Sequence, residues 1–118
     1  AILLVQSGKG SIYYLGAPLK TTDYHTLLSP LARKLGLKRP VSGMDEHGDL
    51  VTGVEVRSVE READYLVYAC NLTPESVEFD LKVSGKMKAI RDLRSLHEVS
   101  EGHVRLGPYQ ETIYQVEK

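Results

Sequence analysis

The chain has 118 residues, 42% of them hydrophobic and 26% charged, a composition typical of one globular domain or of a small domain with part of another. Lys and Arg number 15 against 16 Asp and Glu, so the net charge of −1 excludes the strongly basic surface that nucleic-acid binders need. No apolar run reaches the roughly 20 residues that span a bilayer. We therefore expect neither a nucleic-acid nor a membrane partner.

The single cysteine excludes an intramolecular disulfide framework and any zinc site built from several cysteines. It leaves the redox compartment undetermined, and no other feature of the sequence indicates a cellular location. The chain opens on an apolar run with no initiator Met and no signal peptide, which is typical of a cut through a larger protein.

The first region, residues 1–45, is predicted to begin with a β-hairpin. Residues 2–5 are apolar without alternation, which is typical of a strand covered on both faces. The glycine-rich turn Ser7–Gly10 follows, and the β-forming run 11–15 is the return strand. Although this turn superficially resembles a phosphate-binding loop, it joins two strands and lacks the full spacing of that motif.

One helix is predicted after the hairpin, because apolar residues recur at helical spacing from Tyr24 to Leu35. Thr22 or Asp23 is the expected N-cap, since a side-chain oxygen there can accept hydrogen bonds from free amides of the first turn. Pro30 predicts a kink or a new first turn behind Ser29, and Gly36 is the expected C-cap.

The hairpin has two faces, but only one helix follows it to cover them. Exposed contiguous apolar surface and an unpaired strand edge are both typical of interfaces. We therefore expect the chain to self-associate, or to dock on a neighbouring domain, through residues 1–15. The candidate interface residues are Ile2, Leu4, Ile12 and Tyr14.

The second region, residues 46–118, is predicted to be an antiparallel β-sandwich, because short alternating runs are separated by turn residues about every ten positions. The clearest strand carries inward-facing residues at Val77, Phe79, Leu81 and Val83. Residues 65–72 are apolar on both faces up to Asn71, which predicts a central strand. A linker is predicted over 41–49. The fold class is therefore mainly β, an antiparallel sandwich preceded by a hairpin and one helix.

No group of residues in the sequence predicts a catalytic, cofactor-binding or metal site. The candidate carboxylates lie in linkers, turns and polar strand faces and are interpreted as surface charge: Asp45, Glu46, Glu60, Glu62 and Glu98. The four histidines are dispersed, with His25 placed near the helix start and the others in loops. Cys70 is interpreted as a buried small hydrophobic residue.

Two sequence features concern carbohydrate, one as a possible site of glycosylation and the other as a possible contact with a bound sugar. The pattern Asn71-Leu72-Thr73 fits a glycosylation acceptor, but Pro74 follows it and a turn is the simpler interpretation. The chain has seven tyrosines and no tryptophan, and most of these tyrosines are predicted to lie in strands. Tyr109 follows Gly107-Pro108 in a turn, where an exposed ring is a candidate sugar contact.

Motifs of the first region resemble the end of the flavodoxin-like, amidotransferase-like domain of glycoside hydrolase family 42 β-galactosidases. These motifs are GKGSIYYLG at 8–16, YHTLL at 24–28 and LGL at 35–37. The second region is similar to the small β-sandwich at the C-terminus of such enzymes, through motifs at 54–57, 65–68, 71–74, 91–93, 106–109 and 113–114. The chain departs from the pattern by lacking the earlier strands of the flavodoxin-like layer.

The resemblance implies an accessory role, because the family's catalytic carboxylates lie on an upstream TIM barrel to which nothing here corresponds. We expect a non-catalytic C-terminal module that packs on the catalytic domain of a parent glycosidase or makes oligomer contacts. The alternative is a carbohydrate-binding module, which the absence of tryptophan disfavours. An independent small enzyme is a third hypothesis, disfavoured because no nucleophile and base, or pair of carboxylates, converge in the sequence.

Overall fold

A computed structural model describes residues 2–118, which form nine β-strands and one α-helix. The chain divides into two compact units between Lys38 and Arg39. In chain order the elements are β1 (Ile2–Ser7), β2 (Gly10–Leu15), α1 (Thr21–Lys34), β3 (Val41–Met44), β4 (Val54–Glu60), β5 (Asp64–Asn71), β6 (Val77–Val83), β7 (Ala89–Asp92), β8 (His103–Leu106) and β9 (Glu111–Glu117). Within residues 2–118, α1 is too short and too polar to cross a membrane.

The predicted hairpin is confirmed as an antiparallel pair of β1 and β2. Its register pairs Ser7 with Gly10, so Gly8 and Lys9 form a two-residue turn. Gly8 has φ +58°, a left-handed conformation that such turns require and that glycine adopts without strain. The prediction that residues 2–5 are covered on both faces is wrong, because every side chain of β1 is exposed.

Helix α1 begins earlier than the predicted caps at Thr22 and Asp23. Its N-cap is Lys20, which has extended backbone angles. The carboxylate of Asp23 instead accepts a hydrogen bond of 3.2 Å from the backbone N–H of Lys20. Asp23 therefore stabilises the helix start from inside the first turn, where a negative charge also interacts favourably with the helix dipole.

Helix α1 ends next to Gly36, the glycine predicted to terminate it. The helix continues through Pro30, so no new first turn forms there. Gly36 follows the C-cap with φ +68°, and its N–H donates to the carbonyl of Arg33 at 3.0 Å. The N–H of Leu37 donates to the carbonyl of Ala32 at 3.0 Å, which completes a Schellman motif.

The second unit is the predicted sandwich, with two antiparallel sheets whose inner faces supply one core. One sheet has the order β3-β6-β8 and the other β4-β5-β9-β7, so β5 is a central strand as predicted. Phe79 and Leu81 are buried, and Val77 and Val83 pack against the core, which confirms the register predicted for β6. The buried hydrophobic residues are Val41, Tyr65, Val67, Ala69, Phe79, Leu81, Ile90, Val104, Leu106, Tyr114 and Val116.

The linker predicted over 41–49 is wrong for its first part, because residues 41–44 form β3. This strand pairs with β6, with Val41 opposite Val83 and Gly43 opposite Leu81. The division between the compact units accordingly falls before residue 41, ahead of the boundary predicted at residue 45. Asp45 to Gly48 then form a turn, in which the carboxylate of Asp45 accepts hydrogen bonds from backbone amides.

Candidate functional site

The hairpin presents an open apolar face formed by alternate residues of both strands. Residues directly paired across antiparallel strands lie on the same face of the sheet. Because Leu3 pairs with Tyr14 and Val5 pairs with Ile12, these four side chains share one face, which we call the outer hairpin face. Their exposed fractions are 58%, 65%, 43% and 55% in that order. Four large apolar side chains are therefore adjacent and largely solvated.

The opposite face of the hairpin, called the inner hairpin face, is partly covered. It carries Ile2 and Leu4 from β1 and Leu15 and Tyr13 from β2. Tyr13 and Leu15 are half-buried, while Ile2 and Leu4 remain exposed. A cavity beside this face is lined by Tyr13 and by Leu31 of α1, so the helix lies on this side of the hairpin.

The four candidate interface residues are thus divided between the two faces. Ile12 and Tyr14 belong to the outer hairpin face, whereas Ile2 and Leu4 belong to the inner one. The sequence prediction missed Leu3 and Val5, which complete the outer face. A two-residue turn at Gly8 and Lys9 would have fixed the pairing register, and with it the two faces.

A buried asparagine holds two turns of the sandwich together. Asn71 is fully buried at the end of β5. Its Nδ2 donates to the carbonyl oxygens of Glu75 at 2.6 Å and Gly107 at 2.8 Å. Its Oδ1 accepts from the backbone N–H of Thr73 at 2.9 Å and from the Thr73 hydroxyl at 2.8 Å. The glycosylation pattern at Asn71 is therefore a structural turn, since the amide is occupied and inaccessible.

Tyr109, the candidate sugar contact, projects from the second of these turns. Its ring is 65% exposed, as predicted for a turn residue. Its backbone N–H donates to the carbonyl of Thr73 at 3.1 Å, which ties its position to the turn held by Asn71. Its φ of +53° lies in the left-handed region, which is uncommon for a bulky residue. The ring is thus presented on a defined backbone rather than on a free loop.

A buried carboxylate that sequence reasoning missed lies at the start of β5. Asp64 is 6% exposed and accepts two hydrogen bonds of 2.6 Å from the guanidinium of Arg61. Gln115 on β9 donates to Asp64 at 2.6 Å. The hydrogen bonds from Arg61 have the largest effect on the pKa of Asp64 and hold it below its ordinary value. The hydrogen bond from Gln115 lowers it further. This cluster is fully satisfied internally, so we assign it a structural role.

Three of the carboxylates considered for catalysis lie beside local side-chain partners. Glu60 accepts a hydrogen bond of 2.8 Å from Lys118, which lowers the pKa of that carboxyl. Glu98 lies 4.0 Å from the guanidinium of Arg91, and Glu46 lies 3.5 Å from the ring of His47. Within residues 2–118, no three His, Cys, Asp or Glu side chains converge in a way that could hold a metal ion.

His103 was predicted to lie in a loop, and that prediction is wrong. It begins β8, and the register of the sheet pairs it with Asp80 on β6 at an outward-facing position. Its Nδ1 lies 3.0 Å from a carboxylate oxygen of Asp80, and this hydrogen bond lowers the pKa of Asp80. The contact is a cross-strand polar pair on the solvent face of the three-stranded sheet.

Cys70 is half-buried rather than buried. Side chains alternate along β5, so Cys70 lies on the outer face of the four-stranded sheet while its neighbour Ala69 faces the core. Tyr68 shares this face and donates a hydrogen bond of 3.0 Å to Glu111. Hydrogen bonding to Cys70, and secondarily to Glu111, raises the pKa of Tyr68 to about 12. The central strand is therefore buried on one face only.

Comparison with known proteins finds similar structures but no matching sequence family. No family model matches the sequence, and no curated protein matches it. All of the chain matches Gan42B, a GH42 β-galactosidase from G. stearothermophilus, in two structures, with a TM-score of 0.66 and 23% identity. A match over 98% of the chain to a β-galactosidase from Bacillus circulans sp. alkalophilus has a TM-score of 0.64 and 21% identity.

The chain spans only a small part of these enzymes, 16% of Gan42B and 15% of the Bacillus circulans protein. The likeness confirms the predicted resemblance at the level of fold. The hairpin, helix and sandwich together have the fold of a segment of GH42 β-galactosidases.

Proposed function

We propose that this chain is a non-catalytic accessory module of a glycosidase resembling the GH42 β-galactosidases, and that it acts through packing or oligomer contacts. The single observation that carries the proposal is the outer hairpin face, where four adjacent apolar side chains are 43–65% exposed. The match of the whole chain to 16% of a β-galactosidase supports it, because the remainder of such an enzyme is large enough to cover that face.

Leaving the outer hairpin face in water costs free energy. Burial of apolar surface contributes about 25 cal/mol per Å², so covering four large side chains stabilises a complex by several kcal/mol, on the order of 1 kcal/mol for each half-exposed residue. Isolated exposed apolar residues are ordinary, but a contiguous group on one sheet face is typical of an interface. The outer hairpin face is such a group.

A chimeric enzyme tests the proposal. In Gan42B, this chain replaces the segment that it matches, and hydrolysis of an aryl galactoside and thermal unfolding are measured. We expect the chimera to retain activity, and the double substitution Leu3→Lys and Tyr14→Lys to lower both activity and unfolding temperature. Leu28→Lys is the matched control, since Leu28 is an equally exposed leucine (54%) on α1. Equal behaviour of the double variant and the control would contradict a packing role for this face.

A carbohydrate-binding module is the second candidate function, and the presentation of Tyr109 favours it. An exposed tyrosine ring on a fixed backbone can stack on the apolar face of a sugar. Calorimetric titration with galactose and lactose tests this function, with Tyr109→Ala as the variant and Tyr24→Ala, another exposed tyrosine, as the control. Sugar binding that Tyr109→Ala removes and Tyr24→Ala preserves supports this second function.

A further inference from the structure

Buried residues are distributed very unevenly between the two compact units. Within residues 2–118, the first buried position is Val41 and the last is Val116, so every buried residue belongs to the sandwich unit. The part of the first unit that the structure describes, residues 2–38, consists of exposed and half-buried residues. Burial of apolar surface is the main stabilising contribution to folding. The sandwich therefore contains a core of its own, whereas residues 2–38 do not.

An exposed segment without regular structure joins α1 to β3. Helix α1 ends at Lys34 and β3 begins at Val41. Residues 33–39 are all exposed. Exposed segments at the boundary of a domain are typical sites of proteolytic cleavage, since few contacts oppose their extension into the active site of a protease.

The sequence of this segment is RKLGLKR at 33–39, in which four of the seven residues are basic. Proteases of trypsin-like specificity hydrolyse the bond that follows a lysine or an arginine, because an acidic residue lies in their specificity pocket. The bond between Arg39 and Pro40 is a poor substrate, since proline lacks an N–H and restricts the backbone of the preceding residue. This leaves the bond that follows Lys38.

The basic residues at the end of α1 are protected by the hydrogen bonds of the helix terminus. The bond after Lys34 lies inside the Schellman motif, where the N–H of Leu35 donates to the carbonyl of Leu31 at 2.9 Å. Cleavage there would first require this last turn of the helix to open. The bond between Lys38 and Arg39 lies beyond the motif, so it becomes accessible at lower cost.

We infer that the Lys38–Arg39 bond is a site of limited proteolysis by a protease of trypsin-like specificity, and that its hydrolysis releases residues 39–118 as an autonomously folded sandwich. One water molecule is consumed. Its oxygen bonds to the carbonyl carbon of Lys38 as the carbon–nitrogen bond breaks, which leaves a carboxylate on Lys38 and an amino group on Arg39. The outer hairpin face is removed with the first unit. The inference does not rest on the proposed function.

Another exposed basic segment, the connection between β6 and β7, is held at both ends. Lys86 lies in this connection, and residues 84–88 are exposed. The N–H of Ser84 donates to the carbonyl of Pro40 at 2.8 Å, and the N–H of Lys88 donates to the carbonyl of Glu117 at 3.0 Å. Extension of this connection into a protease would disturb two strands that carry buried residues. We therefore expect cleavage after Lys38 to precede cleavage after Lys86.

Limited digestion of the full chain with trypsin tests the site. We expect the first stable product to begin at Arg39, as identified by N-terminal sequencing and mass. Lys38→Gln is expected to slow the loss of intact chain by about 10-fold, because glutamine provides no charge for the specificity pocket. The matched control Lys86→Gln removes the same charge from another exposed segment and should leave the rate unchanged. A first cut after Lys86, or a rate unaffected by Lys38→Gln, would overturn the inference.

The released fragment tests whether the sandwich folds on its own. Residues 39–118, purified from the digest, are expected to unfold cooperatively in urea, with the midpoint that circular dichroism gives for the sandwich in the intact chain. A fragment without a cooperative transition, or one digested as rapidly as the intact chain, would show that the sandwich depends on the first unit. Both tests are independent of glycoside hydrolysis and of packing on a parent enzyme, so they are distinguishable from a failure of the proposed function.

Discussion

The side-chain amide of Asn71 donates a hydrogen bond of 2.8 Å to the carbonyl oxygen of Gly107, 36 residues further along the chain. The same amide reaches the carbonyl of Glu75, and its oxygen accepts from Thr73. One buried side chain thus joins the turn after β5 to the turn before β9. The backbone position of Tyr109 depends on this connection, since its N–H donates to Thr73.

Replacing Asn71 by leucine is expected to destabilise the chain by about 3 kcal/mol, because buried carbonyl groups lose their donors while the volume is retained. The measurement is the free energy of unfolding from urea denaturation. Leu72→Ala is the control, since Leu72 is 58% exposed and a change of less than about 0.5 kcal/mol is expected. A loss below about 1 kcal/mol for Asn71→Leu would show that the turns are held by other contacts.

The left-handed backbone at Tyr109 gives a second prediction. Both Tyr109→Gly and Tyr109→Ala remove an exposed ring, but only glycine adopts φ +53° without steric cost. We expect the glycine variant to be more stable than the alanine variant by about 1 kcal/mol. Urea denaturation of the pair measures this difference. An alanine variant of equal or greater stability would mean that the positive φ is not retained.

Phe79 tests the register of β6 within the core. Its ring is 2% exposed between the two sheets, and Phe79→Ala is expected to cost about 3–5 kcal/mol. Val59→Ala, at a side chain that is 65% exposed, is expected to cost less than about 0.5 kcal/mol. Chemical denaturation provides both values. A cost below about 1 kcal/mol at Phe79 would place the strand in the opposite register.

The lowered pKa of Asp64 predicts how the stability of the chain depends on pH. Its pKa is lowered in the folded chain by Arg61 and Gln115, relative to an ordinary value of 3.8. The ionised carboxylate therefore contributes stability above pH 3.8, and this contribution is lost as the pH falls through the lower folded pKa.

Asp64→Asn should accordingly be less stable near neutral pH and should lose less stability than the wild type on acidification below pH 3.8. Thermal unfolding across a pH series measures both effects. Glu46→Gln, at an exposed carboxyl, is the control and should follow the wild-type curve. A parallel acid limb for Asp64→Asn would show that other groups determine the acid sensitivity.

Alternation and turn chemistry were sufficient to predict much of the sandwich. The alternation at Phe79 and Leu81 predicted a half-buried strand, and the apolar run through Val67 predicted a central strand. Both patterns lie within one short stretch of sequence, so they can be recognised without knowledge of distant contacts. The glycine-rich turn likewise predicted the hairpin. Tyr109 was assigned to an exposed turn for the same reason, because Gly107 and Pro108 precede it.

The features that were missed depend on contacts between distant residues. Gly43 indicated a linker, but a Cβ there would lie 2.9 Å from Cγ1 of Val51, so this glycine permits the close approach of the Val51 side chain to β3. Asp64 accepts a side-chain hydrogen bond from Gln115 on the neighbouring strand, 51 residues away, which no local pattern reveals. The division of Ile2 and Ile12 between two hairpin faces follows from pairing register rather than from hydrophobicity.

Turnover of an aryl galactoside by the purified chain distinguishes a non-catalytic accessory module from an enzyme. For a non-catalytic module we expect no hydrolysis above the buffer rate, under conditions in which Gan42B, a β-galactosidase, hydrolyses the same substrate. Glu46→Gln and Glu98→Gln variants are assayed in parallel to assign any rate to a carboxylate of this chain. Activity in the wild-type chain that disappears in either variant would contradict a non-catalytic accessory module.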